Sequence, residues 1–296
     1  MPIRTLAAAL LVAFSVQAEA NIDIQFDYSY DNGFFSDASR KTALNAAASL
    51  FESRFADQLT AITSSGSNSF NPTFFNPGNP TGSIVNNDAS FAANVVRVYA
   101  GGYNFTDNTL GVGGPGGYSC SGFNNFCNDA ARRGQGVVTG AGAVDVAPWG
   151  GSITFDTDTD WNFSTASGPS PSQYDFYSVA VHELGHLLGF GTSDSFSNRV
   201  SGMNFLGTAA GTVGLSSDKG HWAAGTLSVY NGASQEAAMT TSLANGARKH
   251  FTDLDFAAMQ DIGWQVTAVP EASTWAMMLS GLALVGGLAR RRSTLR

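Results

Sequence analysis

The sequence predicts an α+β domain, and three observations carry that expectation. Ile22, Ile24, Phe26, Tyr28 and Tyr30 alternate with polar residues, the period of a strand with one buried face. Leu44, Ala47, Ala48, Phe51 and Phe55 then recur at helical spacing. Further on, short apolar runs separated by Gly-rich stretches lead into a second helical pattern, from about Ser172 to Leu188.

Both ends read as processing signals. Met1-Pro-Ile-Arg4, the apolar run Leu6 to Val16 and the small residues Ala18 and Ala20 make residues 1–20 a signal peptide cut by signal peptidase, so the mature chain begins at Asn21. Near the other end, the apolar stretch Trp275 to Leu288 and Arg290-Arg291-Arg292 describe a short transmembrane helix with a cytoplasmic basic stop. Together with Val269-Pro270-Glu271-Ala272-Ser273-Thr274, these parts resemble the PEP-CTERM sorting signal of Gram-negative bacteria, although Ala272 stands where that signal has a second proline. The resemblance implies an exosortase-type sorting enzyme as partner. It also implies transient anchoring in the inner membrane before the cell surface or the extracellular space.

What remains, residues 21–268, suits one domain. The chain has 296 residues, 43% hydrophobic and 13% charged, with 34 Gly at no fixed period, which excludes a disordered polyelectrolyte and a fibre. Its formal charge is -8, and removing both signals leaves 10 basic against 21 acidic residues, so nucleic acid is excluded as a partner.

Within this body, Ser36 or Asp37 can cap the first helix, which ends near Asp57. Ser64 to Ser90, rich in Asn, Gly, Ser and Pro, reads as a long surface loop. Val95 to Tyr99 reads as a strand, as do Ala143 to Val146 and Ser152 to Phe155. The Gly-rich stretch 101–136 holds the two cysteines, Cys120 and Cys127, whose short spacing and exported setting favour a disulfide over a metal site or a lone blocking thiol.

The second helix carries His182-Glu183-Leu184-Gly185-His186. Two histidines four apart share a helix face and can chelate one zinc ion, and Glu183 beside them can take a proton from water at that ion. Gly189 can end the helix in the left-handed region. For a third ligand the residues themselves leave Asp194, His221 and His250 open.

The run from His182 to Thr192 resembles the metzincin metalloproteases, whose extended motif has His or Asp where this chain has Thr192. Asp218-Lys219-Gly220-His221-Trp222 after a long insertion is similar to their leishmanolysin-like branch, which implies His221 as third ligand. Glu236-Ala237-Ala238-Met239-Thr240 resembles the metzincin Met-turn, with Met239 beneath the zinc, and Phe251 to Trp264 resembles their closing helix. The fold implied is a zincin-type twisted mixed sheet with a zinc-binding helix and a C-terminal helix. In that fold Ser152, Ile153 and Thr154 would form the edge strand that receives a polypeptide substrate. Asp156, Asp158 and Asp160 read first as a solvated acidic turn and second, by likeness to matrixins, as oxygen ligands for Ca2+. The activity implied is zinc-dependent hydrolysis of peptide bonds. The alternative is a cell-surface or biofilm-matrix protein that keeps the fold and a structural metal without catalysis, a role in which Glu183 has no use.

Overall fold

Chain entry is on strand β1 (Asp23–Asp27), with Ile22 and Ile24 buried, in a computed structural model that describes residues 22–267 and Gly281. The expected signal peptide and the tail with its transmembrane helix lie outside the described residues, apart from Gly281. Among the described residues no helix is long and apolar enough to cross a membrane.

Helix α1 (Ala38–Glu52) is capped by Asp37, whose side chain accepts from Ser39 N at 2.7 Å, and buries Leu44, Ala47, Ala48 and Phe51. Next come β2 (Ser69–Asn76) and β3 (Asn79–Val85), an antiparallel hairpin where the sequence reads as a surface loop. Phe70 and Phe74 sit buried at alternating positions, but the Asn, Pro and Ser around them hide that period. β4 (Val95–Tyr103) runs through the core.

The Gly-rich stretch supplies β5 (Gly111–Pro115), β6 (Gly117–Ser121) and helix α2 (Phe126–Arg132), with Cys120 and Cys127 joined as a disulfide. No strand forms at 143–146: Val144 N and Asp145 N both donate to Val137 O, which closes a turn instead. β7 (Gly150–Asp156) completes the main sheet, ordered β1-β4-β7-β5, with the first three strands parallel and β5 antiparallel. Ser152, Ile153 and Thr154 are therefore not an edge. They lie between β4 and β5, and the edge belongs to the Gly-rich β5, which has no apolar alternation to announce it.

A short parallel pair, β8 (Trp161–Asn162) and β9 (Tyr174–Asp175), leads into helix α3 (Phe176–Leu187). The helix starts later than Ser172 because Asp175 caps it, accepting from Ser178 N at 3.1 Å and Ser178 Oγ at 2.7 Å. α3 packs against α1 and against β5 and β7. The inserted segment holds α4 (Asp194–Ser197) and a small antiparallel sheet of β10 (Val200–Ser201), β11 (Asn204–Leu206) and β12 (Thr212–Gly214).

The hairpin β13 (Leu227–Tyr230) and β14 (Ala233–Glu236) precedes α5 (Asp253–Asp261), which begins in a capping box between Thr252 and Asp255. Asp261 ties the insertion to α5 by accepting from the backbone N–H groups of Thr208, Ala209 and Ala210. After α5 the chain folds back along the end of α1. Ala56 N donates to Gln265 O at 3.0 Å, Thr267 N to Arg54 O at 2.8 Å and Arg54 Nε to Thr267 O at 2.7 Å.

Candidate metal centre

One turn of α3 separates His182 from His186, and Gly185 between them lets the floor close in: a Cβ there would stand 2.7 Å from Met239 Sδ. The backbone carries His221 to the same place. Trp222 N donates to Met239 O at 2.9 Å, and Ser216 N to His221 O at 2.9 Å, so a tight loop presents the imidazole.

The three Nε2 atoms converge. His182 and His186 are 3.0 Å apart, His186 and His221 3.0 Å, and His182 and His221 3.2 Å. Each Nδ1 lies 2.8 Å from an oxygen that can only accept: Ala238 O for His182, Phe190 O for His186 and Asp218 Oδ2 for His221. The Nδ1 atoms therefore carry the protons, and three bare Nε2 lone pairs face one point. Such an arrangement is repulsive unless a cation occupies that point. Nitrogens bound to one tetrahedral zinc at 2.0–2.1 Å lie roughly 3.3 Å apart, so the donor set suits zinc in both spacing and chemistry. Burial and the neighbouring imidazole push the His182 pKa well below the ordinary range, and burial lowers that of His186 to about 4, which keeps both rings neutral.

Other candidate ligands point elsewhere. Thr192 Oγ1 donates to His186 O at 2.6 Å. Asp194 accepts from Gly140 N at 2.6 Å, and His250 stacks on Tyr230 with ring centres 4.0 Å apart. Among the described residues, only His182, His186 and His221 form a cluster able to hold a metal. The Ca2+ expectation for Asp156, Asp158 and Asp160 finds no support, because the three carboxylates are spent on different partners: Phe105 N, Asn104 Nδ2 and Gln173 Nε2.

Glu183 points to the β5 side. A Cβ on Gly111 would lie 3.2 Å from Glu183 Cγ, and one on Gly113 2.8 Å from Glu183 Cβ, so only glycine lets β5 lie this close to α3. Burial raises the Glu183 pKa to about 8, with the Gly113 N–H pulling the other way. The cluster and Glu183 open onto a cleft of about 1020 Å³, lined also by Gly111 to Gly113 of β5 and by Thr240 to Leu243.

Sequence reasoning did not single out Asp218, although it stands three residues before His221 in a Ser-x-Asp-x-Gly loop that such an acid typically organises. Burial tends to raise the Asp218 pKa, but hydrogen bonds from Ser216, Gly220 and His221 outweigh it and hold it at about 2. The carbonyls of Ala238 and Phe190 leave no mark in a sequence at all.

The matrixin family model matches residues 129–207, and the PEP-CTERM protein-sorting motif matches 268–293. No curated protein and no solved structure matches the chain. The matrixin family implies a zinc metallopeptidase, and the sorting motif implies export, surface association and recognition by an exosortase-type enzyme. Over the matched segment, which contains His182, Glu183 and His186 and ends before His221, this chain is matrixin-like, and it carries a PEP-CTERM sorting signal at its C-terminal end.

Proposed function

We propose that the chain is an exported zinc-dependent endopeptidase of metzincin type, in which His182, His186 and His221 hold the metal and Glu183 is the general base. The observation that carries this reading is the convergence of three Nε2 atoms, each ring oriented through Nδ1, beside an acid in an open cleft. Residues 1–20 are taken as signal peptide, 21–268 as the catalytic domain and 269–296 as the sorting tail.

Zinc in such a site polarises a peptide carbonyl and acidifies water beside it. Glu183 takes the proton of the attacking water on a carboxylate oxygen and passes it to the leaving nitrogen. Its desolvated setting makes it a stronger base than an exposed glutamate. A polypeptide lies along the outer edge of β5, the edge strand of the main sheet, as an added strand. Met239 packs under the cluster and sets the floor height. The non-catalytic reading has no observation in its favour, since a structural zinc takes a fourth protein ligand and leaves no role for Glu183.

Metal analysis and digestion of an unfolded protein test the reading directly. Wild type is expected to carry about one zinc per chain and to cut, and Glu183→Ala to keep the zinc while turnover falls by roughly 10²–10⁴. Cleavage by Glu183→Ala at the wild-type rate would remove the mechanism.

A further inference from the structure

The wall of the cleft on the His182 side is polar. Lys249 is the basic side chain there, and among the described residues lining the cleft no other Lys or Arg appears. Its side chain is 11% exposed, and its Nζ donates to Thr240 Oγ1 at 2.7 Å, Ser242 O at 2.6 Å and Glu236 Oε2 at 2.8 Å. Its backbone is fixed as well: Lys249 N donates to Ser178 Oγ at 2.8 Å. Ser178 lies four residues before His182 and thus on the same face of α3, one turn away. The backbone of Lys249 is therefore anchored one helical turn from a metal-binding imidazole, and its ammonium is held by Thr240, Ser242 and Glu236. Beside it the hydroxyls of Thr241 and Ser242 have no partner among the described residues, and both residues line the cleft.

We infer that this recess selects an acidic side chain, Asp or Glu, at a substrate position adjoining the cleaved bond, with Lys249 as the specificity-determining residue. The inference rests on the peptidase reading above. A large apolar side chain entering here covers the two hydroxyls without giving them a partner, which costs free energy, while the ammonium keeps its three acceptors. A carboxylate instead replaces the neutral Ser242 carbonyl as an acceptor for Nζ and takes a charge-assisted bond. Glu236, on the more exposed side of Lys249, holds the ammonium in place without entering the cleft lining.

Digestion of a mixed peptide library by the zinc-loaded full-length chain, with cleavage sites read by mass spectrometry, tests this. Asp and Glu are expected to be enriched about tenfold or more at one of the two positions flanking the cut bond. In Lys249→Met, which keeps the aliphatic stem, that enrichment disappears while cleavage at other bonds continues. In Lys249→Arg it persists. Enrichment of Leu or Phe at both flanking positions of wild type, or acidic enrichment unchanged in folded Lys249→Met, overturns the inference and leaves the peptidase reading standing. Absence of any cleavage by wild type overturns the peptidase reading and this one with it. Should Lys249→Met fail to fold, the wild-type profile and that of Thr241→Ala with Ser242→Ala decide: wild type without acidic enrichment sinks the inference, and weakened acidic enrichment in the double variant supports it.

Discussion

Helix α3 and the outer sheet β3-β2-β6 are held in place by different chemistry. α3 is buried along nearly its whole length between α1 and the main sheet, in a lattice of Phe176, Ala180, Leu184, Leu187 and Leu188. The outer sheet has few apolar residues of its own. It is secured by Phe74 stacked on Tyr99 with centres 4.0 Å apart, by the Cys120–Cys127 disulfide next to it, and by the second small core around Trp149. Behind that core, Arg133 is fully buried and donates to the carbonyls of Thr60, Ala92, Val95 and Pro148. One region is filled with carbon and carries the functional groups on its single polar face. The other is stitched by a few directional bonds and supports the approach to β5. The two regions are therefore expected to fail in different ways when altered.

The largest expected effect lies at the histidine cluster facing α3's polar side. His221→Ala leaves two protein ligands, so zinc content and peptide hydrolysis both fall by orders of magnitude with the melting temperature of the zinc-free protein little changed. Asp194→Ala and His250→Ala keep both. Zinc analysis of the folded variants checks this, and retention of wild-type affinity in His221→Ala would break the assignment. Arg133→Ala should behave in the opposite manner: it removes a fully buried side chain and its four hydrogen bonds, one of them fully buried, and destabilises by roughly 3–5 kcal/mol in denaturant titration, with zinc per folded chain unchanged.

Intermediate effects sharpen the contrast. Asp218→Ala removes the acceptor that orients His221 together with its bonds from Ser216 and Gly220 in the same exposed loop, so zinc affinity should drop about 10–100-fold in a competition titration with a chelator, without loss of fold. Replacing Cys120 and Cys127 together by Ser should cost about 2–3 kcal/mol because the closed loop is short, and hydrogen exchange should speed up in β6 and α2 while α3 stays protected.

How much of this was open to sequence reading differs in the same way. His182, Glu183 and His186 are close in the chain, and helical geometry brings them together, so the motif suffices. His221 follows after a long insertion whose small strands and α4 have no strong period, and only likeness to a known family pointed to it. Likeness to the family places the edge strand at Ser152–Thr154, because that run shortly precedes the zinc helix, and Ile153 and Phe155 give it an apolar signal. That signal belongs to a strand covered on both sides, whereas the real edge is Gly111–Pro115, where glycine is needed for close approach to Glu183. Phe70 and Phe74 were too few to reveal a hairpin amid Asn and Pro. The sequence offers Ser36 or Asp37 as the cap of α1, and Asp37 fills that place, since a cap is a local feature.

The smallest effect expected is a pH dependence. Burial raises the Asp57 pKa to about 6, and its Oδ1 has no partner, while Oδ2 accepts from Gln265 N at 2.9 Å. A raised carboxyl pKa means that the folded state binds the extra proton, so this group is neutral to stability below about pH 4 and weakens the fold as pH rises through about 6. Asp57→Asn should therefore stabilise the protein above pH 6 by roughly 1–3 kcal/mol and leave it unchanged at pH 3.5. Thermal melts across that range test the sign. His182 and His186 act in the other direction in chelator-treated protein. Their lowered pKa values make stability full above about 6.5 and progressively lost as pH falls toward about 4.

The ladder between residues 54–57 and 265–267 has a mechanical consequence. Its two segments run antiparallel, so a pull on whatever follows Thr267 loads the Arg54–Thr267 bonds first, then the Phe55–Val266 bridge, then the bonds of Gln265. The bonds open one after another, as in a zipper, and never share the force. Only when they are gone does tension reach Trp264, whose indole stacks on Phe55 and donates to Leu188 O at the end of the histidine-bearing helix. A tethered body built this way gives up a few residues of slack before any strain is felt at its metal centre.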